Sequence, residues 1–78
     1  MTDNPQTIAG SWDAGDMGCG ELLIHLSERM RALAPGQIFE LRAQDPGAVE
    51  DIASWCRLTG HTLEHAAHPV YRIRRRKK

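Results

Sequence analysis

The stretch QIFELRAQDPGAVEDIASWCRLTG, residues 37–60, contains a whole strand–turn–helix unit and constrains what its flanks can be. Gln37 to Ala43 alternates, with Phe39, Leu41 and Ala43 on one side and Glu40 and Arg42 on the other, as in a half-buried strand. Asp45-Pro46 then predicts a helix start, because an Asp cap accepts orphan amides and proline at the first helical position loses no hydrogen bond. Val49, Ile52, Ala53, Trp55 and Cys56 form the predicted inner stripe. Glu50 and Asp51 come early and Arg57 late, as the helix dipole favours, and Gly60 closes the helix.

Towards the N-terminus the same grammar repeats. Leu22, Leu23, Leu26, Met30 and Leu33 recur at helical spacing and predict a helix over Cys19–Ala34, with Glu21, His25, Glu28 and Arg29 largely on the outer side. Pro35-Gly36 stops it. The glycine-rich DAGDMGCG before it reads as a tight loop, and Thr7–Ala14 as a strand with Ile8 and Trp12 towards the core. On the C-terminal side, His61–Ala67 and Val70–Arg74 read as two strands joined near His68-Pro69, with Tyr71 and Ile73 inward. The order βαβαββ predicts an α/β (α+β) two-layer sandwich: a mixed four-stranded sheet with two helices on one face, because right-handed crossovers place both helices together. The expected organisation is a flexible arm over residues 1–6, a single domain over 7–74 and a basic tail over 75–78.

With 78 residues and 41% hydrophobic content, the chain is near the lower limit for a self-sufficient apolar core. Two cysteines exclude a dense disulfide framework. No apolar run is long enough to span a bilayer, and MTDNPQTIAG lacks the parts of a signal peptide, so the expectation is a cytoplasmic protein without membrane contact. Charge is unevenly spread: residues 1–71 hold ten acidic and four basic residues, a net −6, while residues 72–78 hold +6. Arg72, Arg74, Arg75, Arg76, Lys77 and Lys78 therefore form a candidate docking element for nucleic acid or an acidic protein. A solvated basic tail is the plain alternative.

Cys19 stands where the glycine-rich loop meets a helix, the place where unpaired amides and the positive dipole end coincide. A thiolate or persulfide is favoured there, and Gly18 and Gly20 are expected to leave the sulfur uncovered. Asp13, Asp16 and Glu21 act the other way, and the balance depends on where these carboxylates point. The alternative for Cys19 is simple packing; Cys56, inward on a helix, is read as core. No metal or cofactor is expected: His61 and His65 would lie about 13 Å apart on a strand, and no C-x-x-C spacing occurs. Four aromatic residues are too few to predict a base-stacking surface.

From about residue 8 to 75 the sequence resembles the TusA/SirA-like sulfur carrier family. The resemblance runs through WDAGDMGCGEL with Asp13 and Cys19, the helix end LAPGQIFEL, DPGAVEDIASWCRLTGHTL and the ending VYRIRRRKK. Both prolines of the family's Cys-Pro-x-Pro motif are replaced, by Gly20 and Leu22. The resemblance implies the βαβαββ fold and a sulfur carrier or sulfurtransferase-like protein, a persulfide carrier rather than a self-sufficient enzyme. Cys19 would carry the sulfur, with Asp13, Gly18, Gly20 and Glu21 as its supporting loop. Implied partners are a cysteine desulfurase or rhodanese-like donor and an acceptor protein, with tRNA or an acidic partner met by the basic tail. Two other readings stand beside it: a non-catalytic RNA- or protein-binding regulatory module, and a redox-sensing thiol.

Overall fold

Why the two central strands sit where they do follows from their alternation: Phe39, Leu41 and Ala43 of one and Tyr71 and Ile73 of the other are buried on a common side. The structure, a computed structural model, describes residues 7–77; the arm expected over 1–6 and Lys78 lie outside the described residues. The elements are β1 (Ile8–Gly15), α1 (Cys19–Arg31), β2 (Ile38–Ala43), α2 (Ala48–Thr59), β3 (Thr62–Ala67) and β4 (Val70–Arg74). They build the βαβαββ fold with a mixed sheet in the order β1-β2-β4-β3. β1 and β2 are parallel, while β4 runs antiparallel to both β2 and β3.

Leu22, Leu26 and Met30 of α1 and Ala48, Ile52 and Cys56 of α2 close over the Phe39–Leu41–Ala43 side in one apolar cluster. The opposite side holds the buried Ile38 (1% exposed) but is otherwise largely polar, with cross-strand ion pairs from Arg72 to Glu40 (3.2 Å) and from Arg74 to Glu64 (2.8 Å). Because β1 and β2 are parallel and each is followed by a helix, both helices start at the same edge of the sheet. The β3–β4 turn joins them there, as Gln44 N–H bonds Gly15 C=O (2.9 Å) and Ala43 N–H bonds Pro69 C=O (2.9 Å).

Several boundaries differ from the sequence reading. β1 runs through Gly15, so the glycine-rich loop shrinks to residues 16–18. α1 ends at Arg31 rather than Ala34, in tight turns in which Ala32 N–H bonds Arg29 C=O and Leu33 N–H bonds Met30 C=O. α2 starts at Ala48, not at Pro46, and no side chain caps it. Ile52 and Cys56 are buried as expected, but Ala48 is buried with them in place of Val49, which is 43% exposed. Gly60 ends α2 as expected, at φ 84°, a left-handed conformation that glycine adopts without strain.

Arg75 and Arg76, where the sequence reading begins a basic tail, fold back on the helices. Arg75 pairs with the chain before β2 through Arg75 N–H to Gln37 C=O (2.8 Å) and Gly36 N–H to Arg75 C=O (2.9 Å). Its Nε donates to Met30 C=O at the end of α1 (2.9 Å), and Arg76 Nη1 donates to Thr59 C=O at the end of α2 (3.0 Å). Cations thus meet the negative ends of both helices, satisfying carbonyls that the helices leave unpaired.

Candidate functional site

The shared edge of the sheet gathers the site. Asp13 Oδ1 accepts the Gly15 N–H (2.9 Å) and Ala14 C=O accepts the Met17 N–H (3.2 Å), which turns the chain sharply into Gly18. Gly18 is the N-cap of α1 in extended conformation (φ −67°, ψ 152°) with no side-chain bond, and Cys19 is the first helical residue. The Cys19 thiol donates to Asp45 Oδ2 at 2.8 Å. Asp51, in the first turn of α2, completes the group, since one donor atom from each of Cys19, Asp45 and Asp51 lies within 4.8 Å of the other two. Asp45 is therefore no helix cap: its carboxylate is spent on the sulfur, which explains the later start of α2.

Two sequence expectations about Cys19 need correction. Gly18 and Gly20 do border open space, yet the side chain is only 9% exposed and belongs to the apolar cluster. The cover comes from the core and from the chain entering α2, which no neighbour in sequence announces. Nor is the thiol acidified. Burial, then the hydrogen bonds and charges of Asp45 and Asp51, push its pKa from an ordinary 9 up to about 12. A helix N-terminus offers about half a positive charge, less than two full carboxylates and lost hydration remove. The opposing carboxylates come from beyond β2, not from Asp13, Asp16 or Glu21. Glu21 is exposed and faces His25 at 3.8 Å.

Tyr71 also reaches this edge. It is fully buried, its hydroxyl is hydrogen-bonded to His68 Nδ1, and burial together with the Cys19 charge raises its phenol pKa. The sequence reading took Tyr71 for core alone and Asp45 for a cap. The signal for Asp45 was topological: it follows a strand parallel to the one preceding Cys19. Cys56 is core as expected, 3% exposed and pushed by burial to about 11. Both cysteines are free thiols.

The Cys19–Asp45–Asp51 group has a thiol and two carboxylates close enough for a cation, but the thiol proton already fills Asp45 Oδ2. Of the six basic residues singled out in the sequence, Arg72 and Arg74 lie in sheet ion pairs and Arg75 and Arg76 at the helix ends; none of these four meets Cys19 in a hydrogen bond or ion pair.

The raised thiols make stability fall in alkali. The folded state holds the Cys19 proton more tightly, so its contribution is whole below the ordinary thiol pKa near 9 and is lost as pH climbs through about 12. Urea unfolding from pH 8 to 11 should show a declining midpoint, and Cys19→Ser should flatten that decline. An equal decline in the variant would contradict the assignment.

The family model described as sulfurtransferase TusA matches residues 12–77, nearly the whole chain. The chain belongs to the TusA family. Sulfur carrier protein TusA of Pseudomonas paraeruginosa is 35% identical over 68 residues, covering 82% of this chain and 86% of that protein. Sulfur carrier protein TusA of Pseudomonas aeruginosa matches with the same identity and coverage. This TusA-family chain has no helix among its described residues long and apolar enough to cross a membrane. Its departure at position 22 has a packing reason: Leu22 is fully buried and its N–H bonds Gly18 C=O (2.9 Å).

Proposed function

We propose that this protein carries sulfane sulfur as a persulfide on Cys19, receiving it from a donor protein and passing it to an acceptor protein. The observation that carries the reading is the cysteine at the first turn of α1, in a chain of the TusA family, with its S–H directed at Asp45. Loading runs as an exchange. The Cys19 sulfur gives its proton up towards Asp45 and attacks the outer sulfur of the donor's persulfide. The donor's S–S bond breaks, the donor departs as a thiolate that takes up the proton, and Cys19 holds –S–SH. Delivery reverses this: the acceptor's thiolate takes the outer sulfur and Cys19 leaves as a thiolate, regaining its proton. No oxidant is consumed.

The high pKa fits a carrier. A thiol of high pKa is a poor leaving group, so a persulfide on Cys19 yields its sulfur slowly to stray thiols. Asp13 shapes the loop, Gly18 and Gly20 keep its outer side open, and Glu21 lies on the exposed side of the first turn. The donor is of the cysteine desulfurase or rhodanese-like class. Incubation with inorganic polysulfide, followed by intact mass measurement, should add about 32 Da, one sulfur, to the native chain and to Cys56→Ser but not to Cys19→Ser. An adduct that survives in Cys19→Ser, or no adduct at all, would overturn the assignment.

A further inference from the structure

At the far end of the helices from Cys19, about 18 Å along α1, the surface holds a hollow of about 430 Å³. Its accessible apolar part comes from Trp55 and Leu58, the latter 87% exposed, over the buried Met30; Arg31, Arg75 and Arg76 surround it, and no carboxylate lines it. In a chain whose first 71 residues carry −6, three guanidiniums without an acid among them make a local exception. Arg75 and Arg76 spend one side-chain N–H each on the carbonyls that end α1 and α2. A guanidinium has five, so most of their donors are left over. Their field is felt at His61 on the same wall, whose pKa is lowered by burial and then by Arg76 and Arg75.

We infer that this hollow docks an acidic segment of a partner protein, one that sets an apolar side chain between carboxylates. Carboxylates match the guanidinium forks in geometry and charge, and a Leu-like side chain fits against Trp55 and Leu58. A nucleic acid strand would satisfy the arginines but leave the exposed Leu58 without a partner, and one indole is a poor stacking platform. A segment bound here leaves the Cys19 edge uncovered. The partner is thereby tethered at one end of the molecule while sulfur changes hands at the other. The tether deepens the sulfur-carrier reading, but the binding itself needs no thiol.

The test is an NMR titration of the full ¹⁵N-labelled chain, native and Cys19→Ser, with a short synthetic peptide of Glu and Leu. A peptide with Gln for Glu and a short polyuridine RNA serve as comparisons. Shifts should gather at the Trp55 indole, Leu58 and His61, the His61 titration should move upward, and binding should weaken with salt. Arg31 is exposed and forms no ion pair among the described residues, so Arg31→Glu tests the charge while leaving the Arg75 and Arg76 bonds to the helix carbonyls in place, at the small cost of an acid in the last turn of α1. It should weaken binding roughly fivefold. Equal binding of the Gln peptide, tighter binding of the RNA, shifts centred elsewhere or an indifferent Arg31→Glu would each overturn the proposal. Cys19→Ser should bind like the native chain, which keeps this outcome separate from that of sulfur loading.

Discussion

Asp45→Asn is expected to make Cys19 react several times faster with iodoacetamide at pH 8, although the site loses a hydrogen bond. The amide still fills the space, but the negative charge facing the sulfur is gone. An adjacent carboxylate shifts a pKa by about 1–2 units, so the thiolate population should rise about ten- to a hundredfold. A less basic thiolate is a weaker nucleophile, which offsets about half of that gain on a logarithmic scale. The net rate should rise about three- to tenfold. Asp51→Asn should do the same more weakly, since its contribution to the raised thiol ranks below that of Asp45. Asp16→Asn and Glu21→Gln should do nothing. Peptide mapping after timed alkylation reads each cysteine separately, with Cys56, 3% exposed, as the internal reference. An unchanged or slower Cys19 would show that Asp45 does not hold the thiol neutral. The same variant should be oxidised faster by peroxide, since oxidation also begins at the thiolate.

The fold was legible wherever a local period decided it. Phe39, Leu41 and Ala43 alternate because one side of β2 is buried; Leu22, Leu26 and Met30 recur because one stripe of α1 is. Gly60 ends α2 for a reason contained in its own stereochemistry, whereas α1 stops at Arg31, before Pro35-Gly36 is reached. What local rules missed were side chains whose destination lies across the fold. Asp45-Pro46 satisfies the rule for a helix start, yet the carboxylate turns to a sulfur 26 residues earlier in the chain. The helix then begins at Ala48, which is buried in place of Val49, while Ile52 and Cys56 face inward as their spacing predicts. Cys19 is flanked by glycines, which say how little its neighbours cover it and nothing of what α2 brings. The arginine run at the C-terminus offers no period at all. Its placement depends on the ends of two helices that become adjacent only once both have packed on the sheet.

Restoring the family's second proline, Leu22→Pro, is expected to be the most damaging single change in the first turn. Leu22 N–H is the first amide of α1 with a helical partner, Gly18 C=O at 2.9 Å, and its side chain is fully buried. Proline removes that bond and its ring crowds the Gly18 carbonyl, at up to about 3 kcal/mol. Loss of most of the leucine adds a core cavity worth about 2 kcal/mol or more. The sum approaches the whole stability of a small domain. Gly20→Ala is the contrasting change: a Cβ there meets open space, and the gain in helix preference should be about 0.5–1 kcal/mol. Urea unfolding followed by circular dichroism separates the two, and a loss below about 2 kcal/mol for Leu22→Pro would contradict this packing role. The consequence reaches the sulfur. With proline at position 22 the helix must begin later, the turn Cys19–Leu22 unwinds, and the thiol leaves Asp45. Leu22→Pro should therefore lower the Cys19 pKa in whatever fraction stays folded, which ties the missing motif proline to the neutral state of the thiol.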